Sequence, residues 1–139
     1  MSNEAAALYD IRDGGPDDNK FILATFLRGF YYGEPFITFI PKDIFMAHYK
    51  KVVIALLNAP GVVVNVACLK TDPDVILGYS ILSPDYSTIH WVYVKRAWRK
   101  QGIATTLLPK YPTAATHIST TGRKLMIKYK SLIYNPFLL

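Results

Sequence analysis

The stretch "VKRAWRKQGIATTLL", Val94 to Leu108, decides how the rest of the chain is read. The apolar run "TIHWVYV", Thr88 to Val94, leads into it with β-branched and aromatic residues and predicts a strand. Four basic side chains follow in quick succession: Lys95, Arg96, Arg99 and Lys100. Gly102 then opens a helix-compatible segment ending in Leu107 and Leu108. A strand, a basic turn, a glycine and a helix start together suit an anion. The first helical turn leaves backbone N–H groups unpaired, and the aligned peptide dipoles put about half a positive charge there. A solvated basic loop joining a strand to a helix is the plainer alternative, and the motif by itself does not choose between them.

The chain around this motif has 139 residues, which predicts one domain spanning 1–139 with one sizeable core. Hydrophobic residues make up 51% and charged residues 19%, so the composition is that of a globular chain and excludes a disordered one. The net charge of +6 favours an anionic partner: a phosphorylated cofactor, an acidic protein or nucleic acid. The single cysteine, Cys68, excludes an internal disulfide framework and has no metal-ligand spacing around it, so no metal is expected. It reads as a small buried hydrophobe in a strand. The segment "MSNEAAALYD" lacks a basic region followed by an apolar run, so no signal peptide is expected. Asn58, Pro60 and Asn65 break the longest apolar stretches well short of the ~20 residues a membrane helix needs. The expectation is a cytoplasmic protein.

Working outward, "ALYDIRD" predicts a first strand closed by "DGGPDD". Asp17 or Asp18 can cap a following helix in which Ile22, Phe26 and Phe30 recur at helical spacing. Gly33 and Pro35 break it. Pro41 suits the first turn of a second helix with Phe45, Tyr49, Val52, Val53 and Leu56 on one face. The runs "VVVNVACL" and "VILGYSIL" predict two strands joined through "KTDPD". After the glycine turn, Pro109 should cut the helix to under about two turns. "ATHIST" reads as a strand, "GRKLMIKYK" as a helix and "SLIYNPFLL" as a closing strand. The predicted order β-α-α-β-β-β-α-β-α-β is mixed α/β with a mostly antiparallel sheet.

That order, with "RKQGIA" (Arg99 to Ala104) after the fourth strand, resembles the GNAT acyltransferase family and its motif Gln/Arg-x-x-Gly-x-Gly/Ala. Val94, Arg99 and Gly102 stand at the family's offsets, and Tyr129 in "LMIKYKSLIY" resembles a tyrosine often found on its last helix. "FILATFLRGFYYG" and "IYNPFLL" also look like an uncharacterised group of this fold from bacteriophages, which would place the protein in the host cytoplasm. The resemblance implies a GNAT-like fold and transfer of an acetyl group from acetyl-CoA to an amine of unknown acceptor.

It further implies that Arg99, Lys100, Gln101, Gly102, Ile103 and Ala104 bind the pyrophosphate of coenzyme A, with Lys95 or Arg96 at the rim. The backbone N–H groups of Val92 and Val94 would meet the cofactor's amide-containing arm, the first also polarising the thioester carbonyl. Amine attack needs a deprotonated amine, and so a general base or water relay. Where many members carry a carboxylate early on strand four, this chain has Thr88, and His90 on the same face is the nearest substitute. Glu34, in the loop bordering the acceptor groove, is a second candidate, and Asp85 suits a turn better. Tyr129 would be the acid that protonates the leaving thiolate.

Two alternatives stay open. The missing carboxylate and the absence of the family's asparagine near Gly122 suit a GNAT-fold binding protein without turnover. Nucleic-acid binding is permitted by charge, including Lys124, Lys128 and Lys130, but no nucleic-acid motif appears and the aromatics suit a core. Tyr31 and Tyr32 could meet a cationic acceptor, line the core or join a homodimer.

Overall fold

The computed structural model describes residues 8–118, 123–124 and 127–139. Strands β1 (Tyr9–Asp13), β2 (Val63–Leu69), β3 (Ile76–Leu82) and β4 (Thr88–Val94) lie antiparallel in chain order. The short β5 (Ala114–Ala115) and β6 (Ile133–Tyr134) add parallel pairs, completing a six-stranded sheet in the order β1-β2-β3-β4-β5-β6. Helices α1 (Asn19–Gly33) and α2 (Lys42–Leu57) pack on one face, and α3 (Ile103–Leu107) lies on the other. The mixed, mostly antiparallel architecture is the one the sequence predicts.

The periodicities explain the layers. Ile22 and Phe26 of α1 and Phe45, Val53 and Leu56 of α2 meet Val66, Tyr79, Ile81 and Trp91 on the sheet. Phe26 stacks on Trp91 with ring centroids 4.4 Å apart. On the opposite face Ala67, Leu77 and Val94 receive Ile103 and Leu107 of α3. Cys68 is buried in β2, as its sequence context predicts.

Central strand β3 is buried at every position, and its Gly78 permits the close approach of β4. A Cβ at Gly78 would lie 2.6 Å from the Tyr93 carbonyl oxygen and 3.2 Å from Val94 Cα. Both are backbone atoms that cannot rotate away, so Gly78→Ala must push the strands apart. We expect a loss of about 1–3 kcal/mol, seen as a lower urea midpoint with an unchanged slope. An unchanged midpoint would show that β3 and β4 have room to separate.

Three local readings change. Asp18 does not cap α1 through its side chain. Its two oxygens accept from the Arg12 guanidinium at 2.8 Å each and one also accepts the Gly15 N–H, tying β1 to the start of α1. These bonds, Arg12's first, hold the Asp18 carboxyl below its ordinary range. Of the strand expected in "ATHIST", only Ala115 is in a ladder, together with Ala114 just before it, and Ser119 and Thr120 lie outside the described residues. The closing strand is only Ile133–Tyr134, because Asn135 turns the chain by accepting the Phe137 N–H and Pro136 cannot donate to a ladder. In the predicted last helix, Arg123, Lys124, Ile127 and Lys128 are helical, Tyr129 follows them, and Gly122 lies outside the described residues.

Candidate active site

The site starts from an irregularity in β4. Ile81 of β3 pairs with Trp91, yet the next residue, Leu82, pairs with Ile89, which leaves His90 as one extra residue in β4. Such a bulge reverses which edge each later residue presents. Before it, Ser87 and Ile89 face β5: their carbonyls accept from Thr113, Ala114 and Thr116. After it, Lys95 donates to Leu77 of β3, so by alternation Tyr93 and Trp91 also face β3. Val92 and Val94 therefore turn their backbone groups to the other edge.

That edge is open. Among the described residues β4 pairs with β5 only at Thr88–Ala114 and Ile89–Ala115, and the strands part after Thr116 donates to Ile89. No described strand takes up the Val92 and Val94 amides. The Val94 carbonyl, on the same edge, accepts instead from Arg99 Nε at 2.9 Å. Arg99 thus folds back on β4 and fixes the start of the turn.

The turn itself holds two residues in the left-handed region: Lys100 at φ 63° and Gly102 at φ 85°. Gly102 precedes α3, which has five residues, as Pro109 predicts. Thr106 makes the first intrahelical bond, to the Gly102 carbonyl, so the N–H groups of Ile103, Ala104 and Thr105 have no partner within the helix. They border a cleft of about 250 Å³ whose walls include Trp98, Arg99, Lys100, Thr105 and Lys124. Cations around free amides suit a diphosphate, and the open edge beside it suits an amide-bearing arm: the residues present fit coenzyme A. Trp98 and Thr105 were not singled out in the sequence, and Lys124 was noted there only for its charge, since only the folded turn brings it across to the cleft.

Tyr129 packs against the patch formed by Leu82, Ile89, Val92 and Leu108, beside β4. Its hydroxyl donates to the Pro109 carbonyl at 3.3 Å, and burial raises its pKa. Glu34 lies at the end of α1 in the wall of a separate cavity of about 510 Å³, lined mostly by apolar side chains such as Phe30, Phe36, Ile40 and Ile118. It is paired with Arg123 at 3.0 Å. Tyr31 is buried with its hydroxyl on the Ile40 carbonyl, so it shapes the loop rather than meeting a ligand. Asp85 is a turn former: one oxygen accepts from Ser83 and Ser87, which holds its pKa down to about 2.

His90 is buried where β4 and β5 part, and its Nδ1 lies 3.0 Å from Thr116 Oγ1. The same hydroxyl lies 2.8 Å from Nδ1 of His117, whose Nε2 is hydrogen-bonded to the Tyr49 hydroxyl of α2. Burial lowers the pKa of His90, and it pushes His117 down to about 4. Both imidazoles are neutral at pH 7. Thr116, His117 and Tyr49 carry no motif; three distant segments must converge before they form a chain.

The model of the acetyltransferase (GNAT) family matches residues 21–118, well over half of the sequence. The chain belongs to the GNAT acetyltransferase family, whose members are N-acetyltransferases with acetyl-CoA as cosubstrate. Among solved structures, it is similar to a proposed acetyl transferase of Pyrococcus furiosus, at 20% identity and TM-score 0.59, covering 94% of this chain and 87% of that one. It is also similar to a proposed acetyltransferase of Clostridium difficile 630, at 18% identity and TM-score 0.52, covering 92% and 80%. At these identities the likeness concerns the fold. No curated protein matches the chain. Among the described residues, no helix is long and apolar enough to cross a membrane.

Proposed function

We propose that this chain transfers the acetyl group of acetyl-CoA to an amine that enters from the 510 Å³ cavity, in a single domain spanning residues 1–139. The observation that carries this reading is the bulge at His90, which turns the Val92 and Val94 amides to an open edge beside the glycine turn. When bound, acetyl-CoA supplies an acyl group activated as a thioester, with a thiolate as the leaving group.

The backbone N–H groups from Gln101 to Thr105 hold the diphosphate, with Lys100 and Lys124 neutralising its rim. Arg99 acts mainly by position, since its Nε is engaged by Val94. The Val94 N–H binds the amide-bearing arm. The Val92 N–H polarises the acyl carbonyl, and one such donor can be worth ~3 kcal/mol in acyl transfer. His90, neutral because it is buried, receives the proton that the amine must lose. Tyr129, packed on the apolar patch to which Val92 belongs, returns a proton to the thiolate, and must release the Pro109 carbonyl to do so. Glu34, once a cationic acceptor displaces Arg123 from it, offers the apolar cavity its acidic anchor.

Two measurements test this. Calorimetric titration of the wild type with acetyl-CoA should give a micromolar Kd. Thiol release should then rise when primary amines with apolar bodies are added. No binding at all would overturn the reading. Binding with no thiol release for any amine would favour the fold as a binding module, the alternative that Thr88 in place of a carboxylate suggests.

A further inference from the structure

His90, Thr116, His117 and Tyr49 form one continuous hydrogen-bonded chain, running from the parting of β4 and β5 to α2. We propose that this chain is a proton relay: it carries the proton taken up at His90 through the protein to the Tyr49 hydroxyl. The inference rests on the acetyl-transfer reading and adds the route by which the site is reset.

A buried base has a difficulty that the geometry resolves. A protonated His90 would be an imidazolium in an apolar pocket, which burial disfavours. Passing the charge on as fast as it arrives avoids that species. Every member of the chain can both give and take one proton. With His90 Nδ1–H donating to Thr116, the Thr116 hydroxyl donates to His117 Nδ1, and His117 Nε2–H donates to Tyr49. His90 Nε2 is then the receiving site.

A proton from the amine bonds to Nε2. The Nδ1 proton moves to Thr116, the threonine's own proton to His117 Nδ1, and the His117 Nε2 proton to Tyr49. Tyr49 releases its original proton outward. One proton enters and one leaves, and both imidazoles, the threonine and the tyrosine finish neutral with their hydrogen bonds reversed. The starting state is restored when His90 gives its Nε2 proton up on the reaction side, where the leaving thiolate needs one, while a proton enters at Tyr49 and each link hands its proton back along the reversed bonds.

The outer end has somewhere to deliver. Tyr49 is half-buried and close enough to Tyr134 for that hydroxyl to raise its pKa, after burial, to about 12. Tyr134 lines the 510 Å³ cavity. The rings also hold the relay in register: His117 packs edge-on against Phe26 and Phe30, with centroids 5.0 and 4.9 Å away. An arrangement needed only for stability would not require each link to be able to reverse.

Thr116→Val separates these roles because it keeps the shape and removes the hydroxyl. With acetyl-CoA and 2-phenylethylamine as probes, it should lower kcat by about a hundredfold, the lower end of what positioned proton transfer contributes. KM and Kd for acetyl-CoA should stay within about twofold, and Thr116→Ser should restore most of kcat. In mixtures of light and heavy water the wild-type rate should fall along a curve, because several protons move together, and the Thr116→Val rate along a straight line. Tyr49→Phe should reproduce the kcat loss, and carries the test should Thr116→Val not fold. Unchanged kcat in the variants, or a wild type that binds acetyl-CoA but releases no thiol with the amine, overturns the relay. Loss of acetyl-CoA binding by the wild type itself would strike instead at the glycine turn and the acetyl-transfer reading.

Discussion

Gly102→Val is expected to weaken acetyl-CoA binding by about a hundredfold, close to 3 kcal/mol. Gly102 sits at φ 85°, ψ 2°, immediately before α3. A β-branched residue is a genuine outlier there and costs at least about 1–2 kcal/mol to hold. The variant escapes that strain by moving φ to negative values, which rotates the peptide into α3 and disperses the N–H groups of Ile103, Ala104 and Thr105. It also places a side chain where the backbone must approach the diphosphate closely. Neutralising one rim cation is a smaller change: an exposed ion pair contributes about 1 kcal/mol or less, so Lys100→Ala should cost no more than about fivefold. Lys100, itself at φ 63°, should lose strain when replaced by glycine, which raises folding stability and leaves the missing charge alone to show in the binding constant. Calorimetry on the three variants ranks geometry against charge. If Lys100→Ala costs more than Gly102→Val, the rim cations hold the diphosphate and the turn does not.

The contrast between these residues shows what the sequence could disclose. The glycine turn was legible because its signals are local: an apolar strand, four cations, a glycine, then a proline that sets the helix length. The core faces of α1 and α2 were legible for the same reason, since Ile22, Phe26, Phe45 and Val53 follow the helical period. The bulge was not. Whether His90 is paired or extra depends on the register of β3 against β4, which no residue in "TIHWVYV" encodes alone. His90 could be named as a base only by its place on the strand, while its partners came from two segments read as an unremarkable strand and an amphipathic helix. Asp18 shows the same limit in small: its type suited a cap, but Arg12 of β1 claims the carboxylate once the strand is beside it.

The buried histidines make the fold sensitive to acid, with the loss confined to a window set by His117. Its pKa is about 4 in the folded protein, against an ordinary 6.5, chiefly because burial disfavours the charged ring. Above pH 6.5 both folded and unfolded chains hold it neutral, and it has no effect on stability. As the pH falls below 6.5 the unfolded chain binds a proton that the folded chain refuses, so unfolding becomes easier. The loss grows until about pH 4, where the folded ring also protonates, and then levels off at about 3 kcal/mol. His90, lowered by burial as well, acts in the same direction. Asp18 contributes in a lower window: its folded carboxyl is held below 3.8, so the stability from Arg12 is present above that value and disappears as the pH falls through the folded pKa. Between pH 7 and 4.5 the histidines therefore dominate. Urea unfolding of the wild type should lose most of those 3 kcal/mol across this range. His117→Gln keeps a neutral side chain that can hydrogen-bond Tyr49 and has no proton to gain, so it should be less stable at pH 7 but lose much less on acidification. A wild-type midpoint that stays flat from pH 7 to 4.5 would show that His117 is solvated or charged in the fold, and parallel slopes for wild type and variant would assign the acid sensitivity to other groups.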